Sequence, residues 1–270
     1  MRTTVRDVQS KAGNEPITML TAYDAVTAEL VDEQGIDVIL VGDSVGNTVL
    51  GHDSTLPVTV DQMASHTTAV SRAVDDALVV ADMPFLSYGH DEKTSIENAG
   101  RMLKECGAHA VKIESGPHTV ELTETMVQLG IPVMAHLGLT PQRVNQLGYA
   151  RQGTSEEAAA TMLELAKEHE EAGAFSLVLE HVPSNVAAMI TEELDIPTIG
   201  IGAGPDCDGQ VLVVDDAVGL SDWTPSFVHE FGNVREEIRD AIGAYRDAVE
   251  AGEFPMPEHG HVEEELDGIY

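Results

Sequence analysis

A chain of 270 residues with a hydrophobic share of 43% can fill one large core or two small ones, and no run of eighteen apolar residues offers a membrane span. Its 47 acidic residues against 14 Lys plus Arg give a formal net charge of −33, which makes nucleic acid and anionic membranes poor partners. The opening MRTTVRDVQSKAGNEP lacks the apolar segment of a secretory signal, and Cys106 and Cys207 stand isolated, so a cytoplasmic protein without disulfide framework or structural zinc is expected.

The acids run through TSEEAAATMLELAKEHEEAG and VREEIRDAIGAYRDAVEAGE as well as the tail VEEELDGIY, the composition of a halophile's surface. Against that background the few lysines stand out: Lys11, Lys93, Lys104, Lys112 and Lys167.

In chain order, residues 1 to about 13 are expected to form an extra helix closing the bottom of the fold, and ITMLTAYD a first strand. EQGIDVILVGDS, ECGAHAVKIES, QLGIPVMAHLG and EAGAFSLVLEHV share a shape: glycine, a short link, an apolar run and a polar switch. Each reads as a helix ending near Gly35, Gly107, Gly130 or Gly173 and leading into a buried strand. ALVVADMPF, TIGIGAG and QVLVVDDAVG bring the strands to eight, starting near residues 17, 38, 77, 110, 133, 176, 198 and 210. Between most of them lies a helical pattern. Thr59 with Gln62 resembles a capping box, and Thr140-Pro141 a helix N-cap and first turn. SFVHEFGNVREEIRDAIGAYRDAVEAG is the expected last helical region, followed from about residue 256 by a loosely ordered acidic tail.

Apolar strands alternating with helices predict a parallel sheet covered on both faces. Eight units point to a (β/α)8 TIM barrel as a single domain over residues 1–270, with an open doubly wound sheet as runner-up. The barrel is favoured because polar residues collect at the strands' C-terminal ends, where barrel active sites sit.

Those ends carry Tyr23 and Asp24, Asp43 and Ser44, Asp82, Lys112 and Glu114, His136, Glu180 and the glycines of GIGAG. Singly, each acid reads as an N-cap or ion-pair partner. Together, carboxylates crowded in one mouth repel unless protons or a cation neutralise them, and an oxygen-rich donor set suits Mg²⁺. Lys112 and Glu114 are two apart and share a strand face, so Lys112 is an anion ligand, a Schiff-base former or a partner for Glu114. His136 is an acid, a ligand or, by default, a satisfied core histidine. Pro205 breaks any dinucleotide fingerprint in GIGAGP, and no GxSxG, HExxH or P-loop motif occurs.

The blocks TAYD, VGDSVGNTVLGHDSTLPVT, ADMPF, VKIE, HLGLTPQ, LVLE and IGIGAGPDCDGQVLV resemble, in order, those of the ketopantoate hydroxymethyltransferase family. The resemblance implies a TIM barrel assembled as a homo-oligomer, commonly a decamer. It implies hydroxymethyl transfer from 5,10-methylenetetrahydrofolate to 3-methyl-2-oxobutanoate, giving ketopantoate for pantothenate and coenzyme A, through a Mg²⁺-stabilised enolate. Asp43, Asp82 and Glu114 would hold one Mg²⁺ per subunit. Ser44 and Lys112, beside Asp43 and Asp82, would bind substrate, Glu180 would be the base, and His136 and Tyr23 would support the site. LGYARQG at residues 147–153 and PEHGH near the C-terminus depart from the family's GGYKVQG and EHSF-like segments. The alternatives are a Mg²⁺-dependent 2-oxo acid lyase or mutase of the isocitrate lyase-like barrel group, and a non-catalytic 2-oxo acid binder.

Overall fold

A computed structural model describes residues 2–263. By compactness the chain divides into two units, Met1–Val214 with Ser226–Val228, and Asp215–Pro225 with His229–Tyr270.

In the first unit eight parallel strands close into a barrel in sequence order. They are β1 (Ile17–Thr21), β2 (Val38–Val41), β3 (Leu78–Asp82), β4 (Ala110–Glu114), β5 (Val133–Gly138), β6 (Ser176–Glu180), β7 (Thr198–Ile201) and β8 (Gly209–Leu212). Every strand begins within a residue of its expected start. Helices Ala25–Glu33, Val60–Ala73, Glu92–Lys104, Val120–Gln128, Glu156–Glu171 and Ser184–Glu193 follow β1 to β6, whereas β7 and β8 are joined by a short loop without a helix. The expected N-terminal helix is Val5–Lys11, started by a capping box between Thr4 and Asp7.

The helix starts obey capping chemistry. Thr59 and Gln62 cap each other reciprocally, and Asp24 accepts the Thr27 N–H, so Asp24 is an N-cap and not a site acid. Gly35, Gly107, Gly130 and Gly173 all take positive φ just beyond their helices. The expected pair of N-cap and first residue, Thr140-Pro141, is in place. It opens a 3₁₀ turn, Pro141–Arg143, and the Thr140 side chain makes no cap bond. The reason is local competition: the Gln142 N–H donates to Glu114 Oε1 at 2.9 Å.

Strand periodicity explains how one barrel contains both a core and a site. Alternate residues point inward. In the lower layers these are Ile17 and Met19, Val38 and Leu40, Leu78 and Val80, then Ala110, Met134, Val178, Ile199 and Val211, which pack into one buried cluster. Two residues further along the same faces come Asp82, Lys112, Glu114, His136 and Glu180. The outward set, including Ala135, Leu137, Leu177 and Leu179, packs against Ala166, Val186, Ala187 and Ile190 of the covering helices.

The second unit contains helix Val234–Glu250 and a 3₁₀ turn, Pro257–His259. Val234, Ile238, Ile242, Tyr245 and Val249 recur at helical spacing along one stripe. The tail expected from about residue 256 lies partly outside the described residues.

Candidate active site

The strand ends open into a cavity of about 200 Å³ whose lining includes Asp43, Ser44, Asp82, Lys112, Glu114 and Glu180. Its floor is apolar, made by Leu40, Val178, Ile201 and Val211 from the interior layers.

Register sets the first contact. Asp82 and Lys112 are direct partners across β3 and β4, and Lys112 Nζ lies 2.6 Å from Asp82 Oδ1. The lysine's partner is therefore Asp82, not Glu114. Burial alone would discharge Lys112, but Asp82 and Asp43 beside it hold its pKa above the usual lysine value. Asp43 follows the glycine that ends the apolar run of β2, and its N–H donates to Asp82 Oδ2 at 3.1 Å. Gly42 keeps this turn open: a Cβ there would sit 2.7 Å from Ser44 Oγ. Ser44 Oγ and Tyr23 Oη share a hydrogen bond of 2.8 Å.

Two acids lack enough positive charge. Burial first, then the Asp82 charge, pushes Asp43 up to about 7, against pulls from Lys112 and Gln142. Burial, then Asp43, pushes Glu114 up to about 8. Glu114 Oε2 is buried with no hydrogen-bond partner. Such an orphaned acceptor beside two underneutralised oxygens fits a hard cation. Among the described residues no metal-holding group of three or more His, Cys, Asp or Glu side chains is in place. Mg²⁺ does not require one, since it is commonly held by one or two carboxylates together with water and substrate oxygens.

His136 is buried, and its pKa is lowered by burial and then by Lys112, which leaves the ring neutral. Its Nε2 is 3.2 Å from Glu180 Oε2, yet too far off line for a hydrogen bond, so both ring nitrogens stay unbonded among the described residues. Glu180 closes β6 beside Gly138, whose φ is +100° and whose Cβ, if present, would lie 2.2 Å from the Glu180 carbonyl oxygen. Only glycine fits there.

Of the residues marked from the sequence, Asp43, Ser44, Asp82, Lys112, Glu114, His136 and Glu180 line one cavity; Tyr23 reaches it through Ser44, and Asp24 and the glycines of GIGAG are not among its lining residues. Two buried residues were missed, Gln142 and Tyr88. Gln142 Nε2 donates to Asp43 Oδ2 and to the Met83 carbonyl, both at 2.9 Å, while Tyr88 Oη donates to Gln142 Oε1 at 2.9 Å. Burial holds the Tyr88 phenol well above its ordinary pKa, so it stays protonated. The only sequence signal was the position of Gln142 at the end of HLGLTPQ, within a mouth loop.

A closed eight-stranded barrel with acids and a lysine gathered at the strands' C-terminal ends defines a TIM-barrel enzyme. Its fold is similar to that of phosphoenolpyruvate phosphomutase from Streptomyces platensis subsp. rosaceus, with a TM-score of 0.63 at 13% identity over 92% of this chain and 88% of that one. That likeness is one of fold alone. The sequence pattern of ketopantoate hydroxymethyltransferase matches residues 2–257. The 3-methyl-2-oxobutanoate hydroxymethyltransferase of Haloarcula marismortui is 68% identical, over 99% of both chains. The enzyme of that name from Geobacter sulfurreducens is 53% identical over 95% of this chain and 97% of its own. The chain belongs to the ketopantoate hydroxymethyltransferase family.

Proposed function

We propose that the chain transfers a hydroxymethyl group from 5,10-methylenetetrahydrofolate to 3-methyl-2-oxobutanoate, giving ketopantoate for pantothenate and coenzyme A synthesis. Family membership supports the reaction, and one observation carries its chemistry: a single lysine faces Asp43, Asp82, Glu114 and Glu180 in one small cavity. A cavity of about 200 Å³ suits a short 2-oxo acid.

Asp43 and Asp82, with Glu114 through water, would hold Mg²⁺. When bound, the cation supplies Lewis acidity that stabilises the negative charge of an enolate. Lys112 offsets the substrate carboxylate's charge, and the Ser44–Tyr23 hydroxyl pair offers it a hydrogen bond. Glu180 takes the proton from C3. That carbon then bonds to the donor's methylene carbon, water supplies the hydroxyl and tetrahydrofolate leaves. Neutral His136 lies beside Glu180, its Nε2 3.2 Å from Oε2, and does not compete for its charge.

A cytoplasmic location is proposed from family membership; among the described residues no helix is long and apolar enough to cross a membrane. Self-association is supported by Val26 and Leu30, one helical turn apart and 68% and 58% exposed. The lyase or mutase alternative shares the fold alone, at 13% and 18% identity.

The test is direct. Purified protein with 3-methyl-2-oxobutanoate, Mg²⁺ and methylenetetrahydrofolate in molar KCl should yield ketopantoate by mass spectrometry, and excess chelator should stop it. No product under these conditions, or full activity in chelator, overturns the corresponding part of the proposal.

A further inference from the structure

We infer that Gln142 is a positioning residue: its amide, locked by Tyr88, sets the spacing of the Asp43 and Glu114 carboxylates that receive the cation. This rests on the cation-assisted reaction proposed above and adds a residue pair to it.

A side-chain amide offers two N–H donors on one side and an acceptor oxygen on the other. Here all are used. Nε2 donates to Asp43 Oδ2 and to the Met83 carbonyl, and Oε1 accepts from Tyr88. The Met83 carbonyl is an acceptor in every protonation state of the site, so only the nitrogen can face it. The amide cannot be flipped without opposing two oxygens. Tyr88 is fixed in turn, because its oxygen accepts the Glu114 N–H at 2.9 Å and its one proton has Gln142 Oε1 at 2.9 Å as the nearer acceptor, the Glu114 carbonyl lying at 3.4 Å. The backbone of Gln142 completes the circuit by donating to Glu114 Oε1.

One residue therefore engages one oxygen of each of two acids. It leaves Glu114 Oε2 without a hydrogen bond. Gln142 follows β5, Asp43 follows β2, Glu114 ends β4, and Met83 and Tyr88 belong to the loop after β3. Four loops or strand ends are thus held by a buried network with no slack: Gln142 and Tyr88 are each no more than 8% exposed. Such fully satisfied networks fix geometry, and partners of this kind typically change metal affinity or activity by about 10–100-fold when removed.

Gln142→Leu keeps the bulk and removes the amide, and Tyr88→Phe keeps the ring and removes the lock. In molar KCl, Mg²⁺ affinity would be measured by titration calorimetry without substrate, beside thermal melting and exchange of the substrate's C3 proton in D₂O. Gln142→Leu should weaken Mg²⁺ binding about tenfold or more. Tyr88→Phe should weaken it less, since it removes the lock but leaves the amide's own bonds to Asp43 and Met83. Unchanged affinity in a folded Gln142→Leu variant overturns the inference. Should Gln142→Leu fail to fold, Tyr88→Phe decides, and unchanged affinity there overturns it. If wild-type protein shows no Mg²⁺-dependent exchange, the proposed reaction fails, while calorimetry still tests the positioning role.

Discussion

Glu180 differs from its neighbours in exposure: its side chain is 20% accessible, against 6% for Asp82 and 8% for Lys112. A base must meet its substrate, whereas a charge that shapes the site can be buried. Deprotonation precedes attack on the donor, so wild-type protein with Mg²⁺ should exchange the C3 proton of 3-methyl-2-oxobutanoate in D₂O without any folate. Glu180→Gln should still bind Mg²⁺ and substrate but lose exchange by about 10²-fold or more. Wild-type exchange in that variant would remove Glu180 from the role. A second expectation follows from Asp43 and Glu114, whose folded pKa values rise to about 7 and about 8. A carboxyl with a raised folded pKa binds its proton better folded than unfolded, so stability is lost as pH climbs from about 4 through those values. Metal-free protein at constant molar KCl should therefore melt lower at pH 9 than at pH 7, and Glu114→Gln should flatten the fall. A rise over that interval would refute it. These residues were legible because they end apolar strands. Gln142 was not, since its partners come from loops that only the closed barrel brings together.

At the scale of elements, the β-strands announced themselves through apolar runs bounded by glycine, and their register turned two in-line residues, Asp82 and Lys112, into an ion pair. Thr140 and Pro141 take the expected N-cap and first places, but the Thr140 side chain makes no cap bond, because a strand acid, Glu114, claims the Gln142 N–H. Gly138 shows how tightly elements share space. Its φ of +100° and the nearby Glu180 carbonyl leave no room for a methyl group. Gly138→Ala should cost about 1–3 kcal/mol from backbone strain alone, and the displaced β6 end should reduce activity more than stability. Melting temperature and turnover, measured together in high salt, test this; a variant with normal turnover would show that the strand end tolerates movement.

For the whole molecule, the charge of −33 sets the operating conditions. Screening shortens from about 10 Å at 0.1 M salt to about 3 Å at 1 M, so self-repulsion should fade over that range. The melting temperature should rise steeply between low and multimolar KCl, and a flat profile would contradict the reading of the surface as a high-salt adaptation. The relative from Haloarcula marismortui agrees with that reading. The division into two compact units had no counterpart in composition, because no linker-like stretch marks it.

The cavity floor works as a length gauge. Leu40, Val178 and Val211, with Ile201 packed against them, belong to the barrel's packed interior and at the same time line the cavity proposed to take the 2-oxo acid. How bulky a branch the 2-oxo acid carries is therefore measured by the height of the core, and the gauge cannot be reset without loosening the barrel. Val178→Ala should admit a 2-oxo acid one carbon longer and lose about 1 kcal/mol or more of stability; unchanged chain-length preference in competition assays would show that discrimination lies elsewhere.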